Sequence, residues 1–123
     1  MQVRNKNKEM ITPTFAQLKK EFLDSGFEIR QFPRRRLEQL ALDAPYEVKR
    51  HHKSDIMGLI MSDENLIGIA DDLTVDERAT TLLHEMIHLH NENLEEDDVE
   101  NLTLELEEEM SPNQFGFLQF LVG

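Results

Sequence analysis

Along the first third of the chain, apolar residues recur with two different spacings, one typical of helices and one typical of strands. Apolar side chains three and four positions apart predict a helix over residues 14–24, which Thr14 can cap and Ser25-Gly26 can stop. Residues 27–32 alternate apolar and polar, which predicts a short strand. Pro33 then suits the first turn of a second helix, because its fixed backbone angle is already helical.

Strand patterns return in the middle of the chain. Residues 46–50 are expected to form a strand. Two apolar runs follow, over residues 56–61 and 66–70, and the four polar residues 62–65 separate them. Apolar runs of this length joined by a short polar segment are typical of a β-hairpin.

Helical spacing resumes beyond the hairpin and continues to the end of the chain. Thr74 and Glu77 have the spacing of a capping box, so a helix is expected to begin there and to run to about His90. A second helix is expected over residues 95–110, and Ser111-Pro112 can begin a third. The sequence therefore predicts an α+β fold, with N-terminal helices, a small antiparallel sheet that includes the hairpin, and two long helices after it.

Length and composition indicate a single folded domain spanning residues 1–123. Residues 1–10 are polar and aperiodic, which predicts a flexible tail. The chain contains no cysteine, so a metal could be held only by histidine, carboxylate or water. No apolar run is long enough to cross a membrane, and the first residues lack the apolar stretch of a signal peptide. A cytoplasmic protein without a membrane partner is therefore expected.

Charge is distributed unevenly along the chain. The formal net charge is −12, yet the first 53 residues carry 12 basic and 7 acidic side chains. Beyond them, 18 residues are acidic and one residue, Arg78, is basic. The acidic second half would repel phosphates, which disfavours nucleic acid as a partner. The simplest interpretation is that the two halves attract each other within the fold.

Histidine and glutamate occur together in the first long helix, in the run His84-Glu85-Met86-Ile87-His88. Residues four apart on a helix project from one face, so both imidazoles can reach a single metal ion. Glu85 is placed beside the first histidine, where it can act as a general base on a metal-bound water. The alternative is a buried helix whose histidines are satisfied by other partners. Burying these side chains in an apolar helix is costly unless something pairs them, so a metal site is favoured.

A zinc site of this kind needs a third protein ligand. The other histidines are His51, His52 and His90. His90 lies two residues beyond His88 and is turned about 200° around the helix from it, so His90 cannot bind the same ion. A carboxylate on the next helix is therefore expected. If the two helices form a tight antiparallel pair, Glu100 lies level with the motif. Glu96, one turn earlier, is the alternative if the loop is longer.

These residues carry a resemblance to a known group of enzymes. The run from Glu77 to His88, followed by residues 96–102, is similar to the gluzincin metallopeptidases, in which H-E-x-x-H precedes a glutamate on the next helix. The small phage-type and ImmA/IrrE-like members are the most similar, and the hairpin over residues 58–71 and the Ser111-Pro112-Asn113 segment add to the likeness. The motif also looks like that of SprT-type proteases, but those need a third histidine downstream, and none follows His90.

The resemblance implies a zincin-like minimal domain with one zinc ion per chain. His84, His88 and a glutamate would hold the ion. The implied reaction is hydrolysis of a peptide or protein substrate, with Glu85 passing a proton from water to the leaving amine. In zincins an extended substrate pairs with the strand before the active helix, which here would be residues 66–70.

Two other interpretations stay open at this point. The chain could be a catalytically weak or inactive zincin-fold module that binds a partner, for instance as a phage or mobile-element regulator. The second interpretation is a protein that binds nucleic acid through its basic first half. Aromatic residues are sparse in that half, which counts against this interpretation. No side chain for stabilising an oxyanion stands out, although Tyr46, His51 and His52 are candidates. The sequence makes no prediction of the oligomeric state.

Overall fold

The computed structural model describes residues 12–43 and 56–123. Within these two ranges the chain forms five α-helices, three β-strands and one 3-10 turn. The predicted tail over residues 1–10 and the predicted strand over residues 46–50 lie outside the described residues. The three candidates for stabilising an oxyanion also lie outside them: Tyr46, His51 and His52.

Helix α1 (Phe15–Ser25), strand β1 (Glu28–Phe32) and helix α2 (Arg34–Asp43) follow in the predicted order. The side chain of Thr14 caps α1 by accepting a hydrogen bond from a backbone N–H in its first turn, at 3.0 Å. The helix ends at Gly26, whose φ of 79° lies in the left-handed region that glycine adopts without strain. These three predicted elements are confirmed.

Strands β2 (Gly58–Met61) and β3 (Leu66–Ala70) form the predicted hairpin. A 3-10 turn, Ser62–Glu64, and the residue after it, Asn65, connect them. Asn65 has a φ of 52°, a left-handed conformation that asparagine tolerates better than most residues. The polar segment between the two apolar runs therefore makes the turn that its composition predicts.

The sheet is mixed, with the strand order β1-β3-β2. β2 pairs with β3 in the antiparallel direction, whereas β1 pairs with β3 in the parallel direction. The parallel register runs from Glu28 opposite Leu66 to Phe32 opposite Ala70. The prediction of an antiparallel sheet is therefore correct for the hairpin and wrong for β1. Alternating apolar and polar residues indicate a strand, but they contain no information on the direction of the strand that pairs with it.

Three helices complete the described chain: α3 (Val75–His90), α4 (Glu96–Glu109) and α5 (Pro112–Val122). The predicted capping box is present at the start of α3. Thr74 Oγ1 accepts a hydrogen bond from the backbone N–H of Glu77 at 3.1 Å, and Glu77 Oε1 accepts one from that of Thr74 at 2.9 Å. In the described part of the chain, no helix combines the length and the apolar surface that crossing a membrane requires.

The sheet separates two layers of helices. One face packs on α2, where Leu59 of β2 and Ala70 of β3 belong to the same buried cluster as Leu37. On the other face, Ile60 and Ile67 belong to a larger cluster with α1, α3, α4 and α5. Because helices cover both faces, all five positions of β3 are buried, and this explains its continuous apolar run.

Helix α3 lies at the centre of the larger layer. It packs against α1, α4 and α5, and against strands β2 and β3. Most of the helix from Ala79 to His88 is buried, including the side chains of Glu85 and His88. Since burying a carboxylate and an imidazole is costly unless they interact with other polar groups, these two positions indicate a functional site.

Candidate metal centre

Three polar side chains project from neighbouring positions in the second half of α3. His84 and His88 are four residues apart, and their ring centroids lie 4.9 Å from each other. Glu85 and His88 are each only 1 % exposed, and His84 is partly buried. The prediction that both imidazoles lie together on one face of a helix is confirmed.

A single carboxylate lies against both imidazoles. Glu96, the first residue of α4, places its Oε2 atom 2.8 Å from His84 Nε2 and its Oε1 atom 3.0 Å from His88 Nε2. Both distances are those of hydrogen bonds. Two ring nitrogens and one carboxylate group therefore meet where the first turn of α4 packs on α3.

The connection between α3 and α4 explains why Glu96 occupies this position. α3 ends at His90, and within the connection Leu94 is buried and donates its backbone N–H to the carbonyl of Asn91 at 3.2 Å. The predicted register placed Glu100 level with the histidines and Glu96 one turn away. In the structure Glu96 lies at that level, while Glu100 is exposed and outside the group. The conformation of a connection decides helix register, and the number of residues in it does not determine that conformation.

The charges in this group shift the pKa values of two of its members. Burial is the largest influence on the imidazole of His84 and lowers its pKa. The hydrogen bond to Glu96 and the negative charges of Glu85, Glu96 and Glu100 together outweigh burial, so the pKa of His84 is raised. For Glu96, burial is again the largest influence and raises the pKa. Hydrogen bonds and charges from His84 and His88 outweigh it and hold the pKa of Glu96 well below its ordinary value.

The donor set of this group fits a zinc ion. Its potential ligand atoms lie within 4.8 Å of one another, and zinc commonly binds two imidazoles together with a carboxylate. Among residues 12–43 and 56–123, this is the one trio of potential ligands that the structure brings together. His90 lies apart from it, as its position on the helix predicts, because its Nδ1 atom is 2.7 Å from Glu21 Oε1 on α1.

The carboxylate of Glu85 lies against the backbone of Gly58 in β2. A Cβ atom at position 58 would lie 2.9 Å from Glu85 Oε2 and 2.7 Å from Thr81 Cγ2, both too close for van der Waals contact. Glycine therefore permits β2 and α3 to approach this closely. This role of Gly58 was not predicted, although a glycine in an apolar strand is a known signal for close approach of another element.

Strand β3 does not offer an edge to a substrate. It is the central strand of the described sheet, with β1 on one side and β2 on the other. The predicted pairing of a substrate with residues 66–70 is therefore wrong. The strand that contacts Glu85 is β2, which is an outer strand of the sheet in the described part of the chain.

A cleft of about 290 Å³ adjoins the metal group. It lies between the C-terminal end of α3 and the turn of the β2–β3 hairpin, and His88 forms part of its wall. Its other wall residues come from the segment before β1, from β2, from the hairpin turn, from α3 and from the connection after α3. The cleft was not predicted, because it is formed by segments that are far apart in the chain.

Comparison with known proteins gives no match to a protein-family model, a curated protein sequence or a solved structure. The likeness to gluzincins that the sequence suggests therefore stays a prediction. The arrangement of His84, Glu85, His88 and Glu96 is the basis on which a function can be proposed.

Proposed function

We propose that this protein is a zinc-dependent metallopeptidase. The observation that carries the proposal is the position of Glu96, whose carboxylate lies within hydrogen-bonding distance of both histidines of the H-E-x-x-H run. His84, His88 and Glu96 would hold one zinc ion per chain. The arrangement of two histidines on one helix and a glutamate on the next is the one that the resemblance to gluzincins implies.

When bound, zinc supplies Lewis acidity, which polarises a peptide carbonyl and lowers the pKa of a coordinated water toward neutrality. The chain itself supplies the proton transfer. Glu85 follows His84 directly, so its side chain is turned about 100° around the helix and stays out of the ligand set. Its carboxylate accepts a proton from the attacking water as the C–O bond forms. The same proton passes to the peptide nitrogen as the C–N bond breaks.

The burial of Glu85 favours a second candidate function. Only 1 % of this residue is exposed, and β2 covers its carboxylate at Gly58. A substrate must therefore reach Glu85 from the side of the metal group. In the second candidate function, a substrate never reaches Glu85. The protein is then an inactive zincin-fold module that binds a partner and uses zinc to stabilise its fold.

Zinc content and peptidase activity of a Glu85→Gln variant separate these two candidates. The wild-type protein is expected to bind one zinc ion per chain and to cleave members of a mixed peptide library. Glu85→Gln keeps the shape of the side chain and removes the base, so it should retain zinc and cleave at least ~100-fold more slowly. Glu108→Gln, at an exposed position of α4, is the matched control and should change neither property.

Two results would decide against the proposal. A wild-type protein that binds zinc and cleaves no member of the library supports the binding module instead. Unchanged zinc content in both His84→Ala and His88→Ala would exclude the metal site, and with it both candidates.

A further inference from the structure

We propose that the outer face of helix α5 is a dimer interface, on which a second copy of this chain packs its own α5 in the parallel direction. The outer face consists of Gly116, Phe117 and Phe120. Phe120 is 82 % exposed, and Phe117, three positions earlier on the same side of the helix, is partly exposed. Two adjacent phenyl rings at the surface form a continuous apolar patch, which marks an interaction site. The proposal does not depend on the metal site.

Helix α5 is apolar on its inner and on its outer side. The inner side packs on α3, and Leu118 and Val122 are buried there. The outer side carries the two phenyl rings, and among the helices of residues 12–43 and 56–123, α5 is the one without a charged residue. A helix that is apolar on all sides is normally covered on all sides. The exposure of Phe120 shows that the described part of the chain leaves the outer side uncovered.

The shape of the outer face allows a second helix to come close. Gly116 lies one turn before Phe120, and a Cβ atom at position 116 would meet nothing within 4 Å. Helical side chains lean toward the N-terminal end of their helix. When two α5 helices lie parallel, Phe120 of each copy is therefore directed at the level of the partner's Gly116, where there is room for a phenyl ring.

Two side chains of opposite charge flank the outer face. Lys19 of α1 places its Nζ atom 4.4 Å from the centroid of the Phe117 ring. Asp76 of α3 accepts a hydrogen bond from Gln119 Nε2 at 2.6 Å. Phe117 and Gln119 are two residues apart, which is about 200° around the helix. The positive charge therefore lies along one edge of the outer face and the negative charge along the opposite edge.

This order of charges favours a second copy and selects its direction. A two-fold axis parallel to α5 brings the positive edge of one copy to the negative edge of the other, so Lys19 of each copy faces the partner's Asp76. The helical residues that contact these charges differ in level by only about 3 Å along the helix. An antiparallel arrangement would instead place like charges together. Each chain has a formal charge of −12, so two copies can approach most easily through an uncharged face with complementary edges.

Sedimentation velocity of the full chain, over protein concentrations of about 1–500 μM, tests whether the outer face forms a dimer. The wild-type protein should change from monomer to dimer as the concentration rises. Phe120→Ser should raise the Kd of the dimer at least ~10-fold, because an aromatic side chain at the centre of an interface contributes much of its affinity. Leu42→Ser is the matched control, since Leu42 is 77 % exposed on α2, and it should leave the Kd unchanged. Circular dichroism should show that both variants are folded.

Exchange of the two flanking charges tests the parallel arrangement. Lys19→Glu and Asp76→Lys should each raise the Kd about fivefold or more, because each places like charges opposite each other. The double variant restores opposite charges across the interface, so its Kd should return toward that of the wild type. A purely structural role of Asp76 beside Gln119 would not be rescued by Lys19→Glu.

Three results would overturn the proposal. The first is a wild-type protein that stays monomeric at every concentration. If that monomer cosediments with phosphatidylcholine vesicles and Phe120→Ser does not, the outer face binds a membrane instead. The second is a dimer whose Kd is the same in Phe120→Ser, which would place the interface elsewhere. The third is a double charge variant that is no tighter than the single variants, which would exclude the parallel pairing of Lys19 with the partner's Asp76.

Discussion

Glu96 Oε2 lies 2.8 Å from His84 Nε2, and this contact joins the first turn of α4 to α3. The other oxygen of the same carboxylate lies 3.0 Å from His88 Nε2. The group therefore depends on how the two helices pack as well as on the H-E-x-x-H run. A change that moves α4 relative to α3 would separate the carboxylate from the imidazoles.

Substitution of Glu96 should weaken zinc binding far more than substitution of Glu100. Glu96→Ala removes one of the three proposed ligands. Because changes around metal ligands already cost about 10- to 100-fold, we expect a loss above about 100-fold. Glu100→Ala, one turn further along α4 and exposed, should cost less than about tenfold. Competition with a chromophoric zinc chelator measures both affinities. The opposite order of effects would identify Glu100 as the ligand.

Zinc should stabilise the folded protein, because folding brings the three side chains together. At a free zinc concentration 100 times the Kd, the gain in the free energy of unfolding is about 2.7 kcal/mol, which calorimetry detects as a higher Tm. His84→Ala and His88→Ala should lose this increase. His90→Ala should keep it, because that imidazole contacts Glu21 instead. The same zinc-dependent increase in all three variants would contradict the site.

Gly58→Ala should lower both stability and activity, because the new methyl group meets Thr81 Cγ2 and Glu85 Oε2. We expect a loss of about 1–3 kcal/mol in the free energy of unfolding, measured in urea. Combining it with Thr81→Ser removes the contact with Cγ2 and keeps the hydroxyl that donates to Glu77 O. The double variant should recover part of the stability but little activity, since the contact with Glu85 persists. Full recovery of activity would show that Gly58 does not position Glu85.

The contact between Arg34 and Asp72 should make stability depend on acid pH. Arg34 Nε and Nη2 donate to the two carboxylate oxygens of Asp72 at 3.1 and 2.9 Å, and this hydrogen bonding lowers the pKa of Asp72. Because the pKa is lower in the folded protein than in the unfolded chain, the stabilisation is present above the ordinary value of about 3.9 and is lost as the pH falls through the folded value.

Asp72→Asn should therefore have a lower Tm than the wild type at neutral pH, and the two Tm values should converge in strong acid. Asp71→Asn, at an exposed neighbouring position, is the matched control. Thermal melts of all three proteins over a series of pH values measure the effect. A difference between Asp72→Asn and the wild type that stays constant down to strongly acid pH would show that the ion pair does not contribute as proposed.

Local sequence was sufficient to predict features that depend on residues close together in the chain. The cap at Thr14, the stop at Gly26 and the capping box of Thr74 each depend on backbone groups within a few positions. The pairing of His84 with His88 on one face belongs to the same class, because helix periodicity alone places them there. This half of the candidate site was therefore predictable before the fold was known.

Long-range packing decided the remaining features. The direction of β1 depends on β3, which lies more than thirty residues later, and the position of Glu96 depends on the conformation of the connection before it. Gly58 matters only because α3 lies against β2 at that point. Each of these relationships is a contact between elements that are separate in the sequence. A local pattern of apolar and polar residues does not specify such contacts. The position of Glu96 beside both histidines and the surroundings of Glu85 therefore became visible only in the folded arrangement.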